Sequence, residues 1–488
     1  MRRFTQRFFR LSSKFSNSLN TTKRPVLLTH LSAIRPIAIG LLITTASIFP
    51  LDAIAPAAQS QTQSQTEPIQ MMEAGLEGEF ETHFGRDLAT VNRDVDDIAQ
   101  ILRDLGEETA TKPAVLWVIP RSDHLHLVLL TGEGTPIIRD LYNVPEDLLR
   151  QVSRRFFFEV ARPRPSDFAA AQQLHEWIIG TFEAEYLEAQ GIDSLLICLG
   201  NGLRGLPIAA LYDGEQFLIE DYDLTRIPAF NLISIDYESL TGANILTMGA
   251  SEFETLAPLP AVPFELENIR SAFTIERTIP GSDYHRPRTV KTAPEPSLLN
   301  AEFTVDQLKS RLNDETFKII HLATHALFNP GEPQQSFIQF WETAFPLSQM
   351  NELPWDFPAL DLLVLSACQT AMGDDEAELG FAGLALQAGV KSAIASLWNV
   401  SDLGTSALMS ELYRHLGQTT TKAAALRQAQ LQLLRGEVRI AANNLVLSNA
   451  QIPLPASFLE QGLVIDDATI TFEHPFFWAS FTIIGSPW

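Results

Sequence analysis

The chain has 488 residues, 45% of them hydrophobic and 19% charged, with a formal net charge of −24. That length exceeds one ordinary domain, and that composition supports a large packed core and excludes a disordered or fibrous protein. Residues 1–58 hold eight Lys/Arg against the single acid Asp52, which leaves the rest with 27 basic and 58 acidic residues, a net charge of −31; such a body repels nucleic acid and anionic membrane surfaces, and both are discounted as partners.

The N-terminus has the grammar of an export signal. A basic region precedes the apolar run Ile37–Phe49, and small residues at Ala57 and Ala58 offer a cleavage point. The run is short for a membrane span, which needs about twenty residues. Residues 1–58 therefore read as a signal peptide, with an uncleaved anchor as the alternative and the only expected membrane attachment. The expected location is periplasmic or extracellular. Residues 59–71 are a polar, Gln-rich stretch with nothing to build a core, expected as a disordered linker.

Within 72–111 an apolar stripe begins. Leu76, Phe80, Phe84, Leu88, Val91, Val95, Ile98 and Leu102 recur at spacings of three and four, which predicts one long amphipathic helix with Glu, Asp and Arg on its other face. The expected role of the 76–102 stripe is docking on the chain's own domain, with a protein-partner face as the alternative. No 34-residue helical repeat is present.

Residues 112–240 read as a mixed α/β section. Ala114–Ile119 and Leu125–Leu130 form a predicted hairpin, followed by helices near 146–161 and 167–189 and a buried strand at Ser194–Leu199. Cys198 lies in that strand and reads as a small buried hydrophobe; two cysteines make no disulfide framework. The strand runs into Gly200-Asn201-Gly202-Leu203-Arg204-Gly205, a literal G-x-G-x-x-G. Pro207 follows at once and no long helix opens at the glycines, so a turn is expected rather than a dinucleotide site.

From 241 to 488 strands and helices alternate. Expected strands are 244–248, 318–323, 362–366, 392–397 and 480–484, with helices at 265–273, 304–312, 380–388, 402–416 and 421–434. Ser401 is the expected N-cap and Gly417 the stop of the fourth helix. This is the rhythm of a mostly parallel sheet covered by helices on both faces. Two of its strands end on reactive side chains: KIIHLATH on His325 and DLLVLSACQT on Cys368, 43 residues later. Chemistry in open parallel sheets gathers at the carboxyl ends of strands. A thiolate nucleophile needs a neighbouring base, and an imidazole supplies one. The N–H groups of Ala326 and Cys368 are the expected oxyanion donors. His321, two alternations before His325, reads as a buried structural residue.

The segments HLATHALF, DLLVLSACQTAMG, LGFAGLALQAGVKSAIASLWNVSD and HPFFWASFTIIG together resemble the bacterial CHAT domain, a caspase-like, separase-related branch of cysteine peptidases; LGNGLRGLPIAALYDGEQFLIEDYDL extends the resemblance back toward Lys112. The resemblance implies a caspase-like αβα sandwich with His325 as base and Cys368 as nucleophile. It also implies a protein or peptide substrate cleaved by an endopeptidase, with no cofactor and no metal. A catalytically weak module acting as an interaction scaffold is the alternative. The sequence departs from the family pattern at Ala326, usually glycine, and at Gln369, usually glutamate. Asp374, Asp375, Glu376 and Glu378 follow the cysteine closely and could line a pocket for a basic residue, although a solvated acidic loop is the simpler reading.

Overall fold

The computed structural model describes residues 58–84, 91–273, 275–279, 288–292, 294–327, 336–341, 343–355, 360–367, 388–399, 401–462, 464 and 469–488. Its backbone is an eleven-stranded sheet with helices on both faces. In chain order the strands are β1 (Pro113–Pro120), β2 (Leu125–Thr131), β3 (Ile137–Leu141), β4 (Ser194–Leu199), β5 (Asp223–Ile227) and β6 (Ile245–Gly249). A separate hairpin, β7 (Ile275–Ile279) and β8 (Arg288–Thr292), precedes β9 (Leu298–Leu299) and β10 (Ile319–Thr324). Next come β11 (Ala326–Leu327), β12 (Phe337–Gln339), β13 (Ala344–Pro346), β14 (Leu362–Ala367) and β15 (Ser392–Ser396). A small antiparallel sheet of β16 (Arg439–Ala441), β17 (Asn444–Val446), β18 (Gln451–Pro453) and β19 (Ile470–Thr471) precedes the last strand, β20 (Phe481–Gly485).

The main sheet runs β3-β2-β1-β4-β5-β20-β15-β14-β10-β6-β9. Its strands fall into two parallel blocks, β1-β4-β5-β20 and β15-β14-β10-β6-β9, joined by the antiparallel pair β15–β20. The blocks therefore point in opposite directions. The carboxyl end of β4, where the glycine motif begins, lies at the other end of the sheet from the carboxyl end of β10.

Side-chain alternation along the strands sorts the core into two layers. Leu116, Leu195, Ile197, Ile319, Leu362 and Val364 join one layer. Their neighbours Val115, Trp117, Leu196 and Cys198 face the other side in the β1–β4 half, and Ile320, Leu322, Leu363 and Leu365 do so in the β10–β14 half. The helices of the first layer include α3 (Glu146–Val160), α4 (Ala169–Ile178), α5 (Val262–Ala272), α7 (Asp402–Leu416) and α8 (Lys422–Leu434), while α1 (Ala58–Phe84), α2 (Val95–Thr109) and α6 (Val305–Asp314) cover the opposite face. This is the αβα sandwich around a mostly parallel central sheet expected from the sequence. Ser401 caps α7 by accepting from Gly404 N at 2.9 Å, and Gly417 ends it, as predicted.

Three expectations need correction. The predicted single long helix is two, α1 and α2. Asp94 stands between them with extended backbone (φ −87°, ψ 179°), and its side chain accepts from Asp97 N at 2.8 Å while Asp97 accepts from Asp94 N. That capping box satisfies the first donors of α2 and forces a break before it. Second, the polar 59–71 stretch, expected as a linker, belongs to α1; once the helix is anchored through its later turns, adding earlier residues costs little. Third, the acids of α1 do not all face solvent. Glu73 is fully buried and accepts from Trp117 Nε1 at 2.5 Å and Asn231 N at 3.1 Å, while Glu77 accepts from Asn231 Nδ2 at 2.5 Å. Burial pushes the Glu73 carboxyl up from its ordinary range, against the pull of these bonds. Of the stripe, Leu76, Val95, Ile98 and Leu102 are buried in the cluster that packs on the sheet and Phe80 is buried beneath Arg204, so these residues are spent on the chain's own core; Val91 is exposed, and the Phe84 side chain and Leu88 lie outside the described residues. The 240/241 division falls between β5 and β6 of one continuous sheet, which the last strand β20 enters beside β5. The signal segment and the 380–387 part of the third C-terminal helix lie outside the described residues.

Candidate active site

β10 and β14 run side by side and parallel, with Ile319 opposite Leu362 and the register continuing to Thr324 opposite Ala367. Both strands are buried on both faces, and His321 in the middle of β10 must face Glu265 and Tyr413, so a one-residue slip of β10 would strand it without those partners. His325 is the first residue beyond β10. Its Nε2 lies 2.8 Å from the carbonyl oxygen of Ala257, and its ring packs on Phe253 with centroids 4.8 Å apart. A carbonyl only accepts, so Nε2 is the donor and Nδ1 is the ring nitrogen not used in that bond. The His325 ring is therefore oriented by a backbone carbonyl, and among the described residues no carboxylate pairs with it.

The loop that supplies Phe253 and Ala257 follows β6, the strand on the other side of β10. Leu259 N donates to Ser251 O at 2.9 Å and closes the loop on itself, while Asn300 Oδ1 accepts from Ser251 N at 2.8 Å. β6 approaches β10 so closely that a Cβ on Gly249 would meet Ala323 O at 2.5 Å and Val262 Cγ1 at 2.9 Å. Gly249 thus sets the distance between the loop and the histidine it orients.

Beyond His325 the chain enters a three-stranded antiparallel sheet, β11-β12-β13. Gln339 N donates to His325 O at 2.9 Å, and Thr324 Oγ1 donates to Gln339 O at 2.5 Å. That ladder makes Ala326 and Ile338 a non-hydrogen-bonded pair, which leaves the Ala326 N–H out of the β11–β12 ladder and pointing away from β12. Ala326 itself is buried. The described part of the insert between the two reactive strands is packed rather than loose: Ile338, Phe340, Phe345, Leu347, Met350 and Trp355 are all buried in one cluster.

Cys368, Gln369, Asp374, Asp375, Glu376 and Glu378 lie outside the described residues. Their contacts are therefore not part of this geometry; what is described is the chain up to Ala367, one residue short of the cysteine. His321 is fully buried, as expected, with Nε2 at 2.9 Å from Glu265 Oε1 on α5 and Nδ1 at 3.0 Å from the Tyr413 hydroxyl on α7. It faces the covering helices, not the strand end. Burial, then the Glu265 charge, holds the Tyr413 phenol well above its ordinary pKa, so it stays neutral. Cys198 is fully buried, and its thiol donates to Pro228 O at 3.0 Å. The glycine motif is a turn with Gly202 at φ +86°, and its Arg204 is buried against the Phe80 ring and paired with Glu79 of α1. A turn spent on an internal ion pair offers no helix N-terminus to a pyrophosphate.

Sequence reasoning missed Phe253, Ala257 and Gly249. A backbone carbonyl has no sequence signal, but the loop's place could have been inferred: it follows the carboxyl end of a strand beside β10, where such sheets assemble their sites.

A family model, the CHAT domain, matches residues 169–486; the match starts later than the Lys112 suggested by resemblance, although β1 to β3 belong to the same sheet. No curated protein matches the chain. Among solved structures, the chain is similar to the Saccharomyces cerevisiae separase–securin complex at 11% identity and a TM-score of 0.44, with 89% of this chain and 34% of that one covered. The Arg-specific cysteine proteinase gingipain R is similar at 12% identity and a TM-score of 0.35, with 70% of this chain and 73% of that one covered. The chain spans about a third of the length of the separase chain it matches.

Proposed function

Because the chain belongs to the CHAT domain family, we propose that it is a cysteine endopeptidase acting on protein substrates, with Cys368 as nucleophile and His325 as general base. The observation that carries this reading is the Thr324–Ala367 register. Neighbouring parallel strands lie roughly 4.8 Å apart, and one further step along each brings the chain to His325 and Cys368. The register thus ends one residue short of each member of the proposed pair, which supports reading them as partners.

In the proposed cycle Nδ1 of His325 takes the thiol proton while Nε2–H stays on the Ala257 carbonyl, which keeps the ring oriented as it becomes charged. The thiolate attacks the scissile carbonyl carbon, and the oxyanion is received by the N–H of Ala326, with that of Cys368 as the second donor. Collapse of the tetrahedral species expels the amine, which leaves with the proton from His325, and forms the thioester. Water, deprotonated by the same nitrogen, then hydrolyses the thioester and restores the thiol. Asp374, Asp375, Glu376 and Glu378 are the proposed source of a preference for Arg or Lys before the cut.

Export is proposed from residues 1–58, whose basic and apolar order is that of a signal. No helix among the described residues is long and apolar enough to cross a membrane. Sequencing the N-terminus of the secreted fraction tests this: a start at Ala58 or Gln59 supports cleavage, and an intact Met1 retained in membranes supports an anchor.

The experiment for activity incubates the chain and its Cys368→Ala form with a mixed peptide library and a thiol-reactive probe. Cleavage and labelling lost together in the variant support the peptidase. Absence of both from the wild type sinks it and leaves the interaction-scaffold reading. Cleavage without selection for Arg or Lys removes the four acids from the site.

A further inference from the structure

At the open edge of the sheet, far along the strand order from His325, three donor groups converge. His126 on β2 and Asp140 on β3 are directly opposed in the antiparallel register, and His124 lies two residues before His126 on the same face. His126 Nδ1 is 2.6 Å from Asp140 Oδ1, and His124 Nε2 is 3.5 Å from the same oxygen; one ligand atom from each residue lies within 4.8 Å of the others. The two histidines are partly buried and Asp140 is exposed, and His126 and Asp140 are carried by paired strands. Leu125 and Leu127 are fully buried on the opposite face of β2, and Arg121 N donates to His124 O at 2.9 Å to close the preceding turn.

His124 Nδ1 is 2.8 Å from Asp123 Oδ1 and its ring stacks on Tyr142 at 4.8 Å. Asp123 thus takes up Nδ1 and leaves Nε2 as the ring nitrogen turned toward Asp140. Asp123 stands to His124 as an outer-shell carboxylate stands to a metal-bound imidazole, fixing tautomer and ring orientation.

We propose that His124, His126 and Asp140 bind a divalent transition metal ion, zinc above all, through His124 Nε2, His126 Nδ1 and Asp140 Oδ1. Zinc takes two imidazoles and a carboxylate at about 2.0–2.2 Å, and ligands of a tetrahedral centre then stand roughly 3.3 Å apart. The present separations bracket that value, so small side-chain rotations suffice. A fourth position stays open to water or to a group from another molecule. The site lies outside residues 169–486 and is independent of the peptidase reading.

The test titrates chelator-stripped full chain with Zn²⁺ against a chromogenic chelator, and with Co²⁺ by visible absorption. One equivalent is expected to bind, with His126→Ala and Asp140→Asn each weakening it about a hundredfold and Asp123→Ala about tenfold. Cys368→Ala is expected to leave binding unchanged, and the Co²⁺ spectrum to lack a thiolate charge-transfer band. Equal Zn²⁺ binding by wild type and a His124→Ala/His126→Ala double variant overturns the proposal, as does loss confined to Cys368→Ala. Thermal melts of the metal-free variants matching wild type exclude misfolding, and the wild-type Co²⁺ spectrum reports the donor set without any variant.

Discussion

Thr324 and Ala367 face each other across the last pair of the β10–β14 ladder, and each is followed in the sequence by one member of the proposed Cys–His pair. The pairing is enforced by layers of apolar side chains on both faces, so the geometry at the strand ends is inherited from the core rather than built by the loops. His325→Ala is therefore expected to leave the fold intact while lowering peptide hydrolysis by about 10²–10⁴. The rate of Cys368 alkylation against pH separates a base from a bystander. In the wild type the thiol should react well below the ordinary thiol range, and in the variant its profile should return to about 8.5. Identical profiles would remove His325 from the mechanism.

Gly249 offers a second handle on the same histidine. Its backbone is not in a left-handed conformation; what requires glycine is the Ala323 carbonyl, 2.5 Å from where a Cβ would stand. Backbone cannot swing aside as a side chain can, so Gly249→Ala must part β6 from β10 at the point where the Ala257 carbonyl meets His325. Overpacking of this kind costs about 1–3 kcal/mol, and a shift of about 1 Å in a catalytic group costs about a hundredfold in rate. A chemical melt read beside the hydrolysis rate checks both; an unchanged rate would mean that the loop does not orient the base.

Much of this was legible because burial and alternation write themselves into sequence. KIIHLATH and DLLVLSACQT are apolar on both faces, which only a covered parallel strand tolerates, and the helix signals at Ser401 and Gly417 are local chemistry. His321 could be read as structural for the same reason: it sits mid-strand, where a polar group survives only with partners. One local signal was outweighed by the stripe, and the other failures were long-range. The helical stripe from Leu76 to Leu102 gave no warning that Asp94 would cap a new helix, since the cap needs only one residue to leave the helical conformation. Glu73 looked like a solvent-facing acid until Trp117 and Asn231, far away in the chain, came to meet it. The reversal of strand direction between β15 and β20 was equally hidden, because strand pattern carries no sign of direction. The His124–His126–Asp140 cluster depends on a cross-strand register that no spacing reveals.

The buried group of Glu265, His321 and Tyr413 ties α5 and α7 to the middle of β10. Tyr413→Phe removes one hydrogen bond to His321 and leaves its ring nitrogen buried without that partner, at a cost of about 1–3 kcal/mol. Since His321 faces the helices and not the strand end, the hydrolysis rate per folded molecule should hold. A fall in rate with unchanged stability would instead assign this triad a part in the chemistry.

Asp402 links stability to pH. It opens α7 and its Oδ2 accepts from Ala261 N at 2.8 Å, so the carboxyl joins the start of α5 to the start of α7. Burial, outweighing that hydrogen bond, pushes its pKa up to about 6 from 3.8. With the folded value above the unfolded one, the folded state holds the proton more tightly. The associated stability is fully present below about pH 4 and is lost as pH rises through 6. Asp402→Asn keeps the acceptor for Ala261 and carries no charge at any pH. The variant should therefore gain on the wild type as pH climbs from 4 to 7, by up to about 3 kcal/mol. Urea unfolding of both forms at intervals across that range checks the slope. A constant difference would mean that Asp402 is ionised as easily in the folded chain as in the unfolded one.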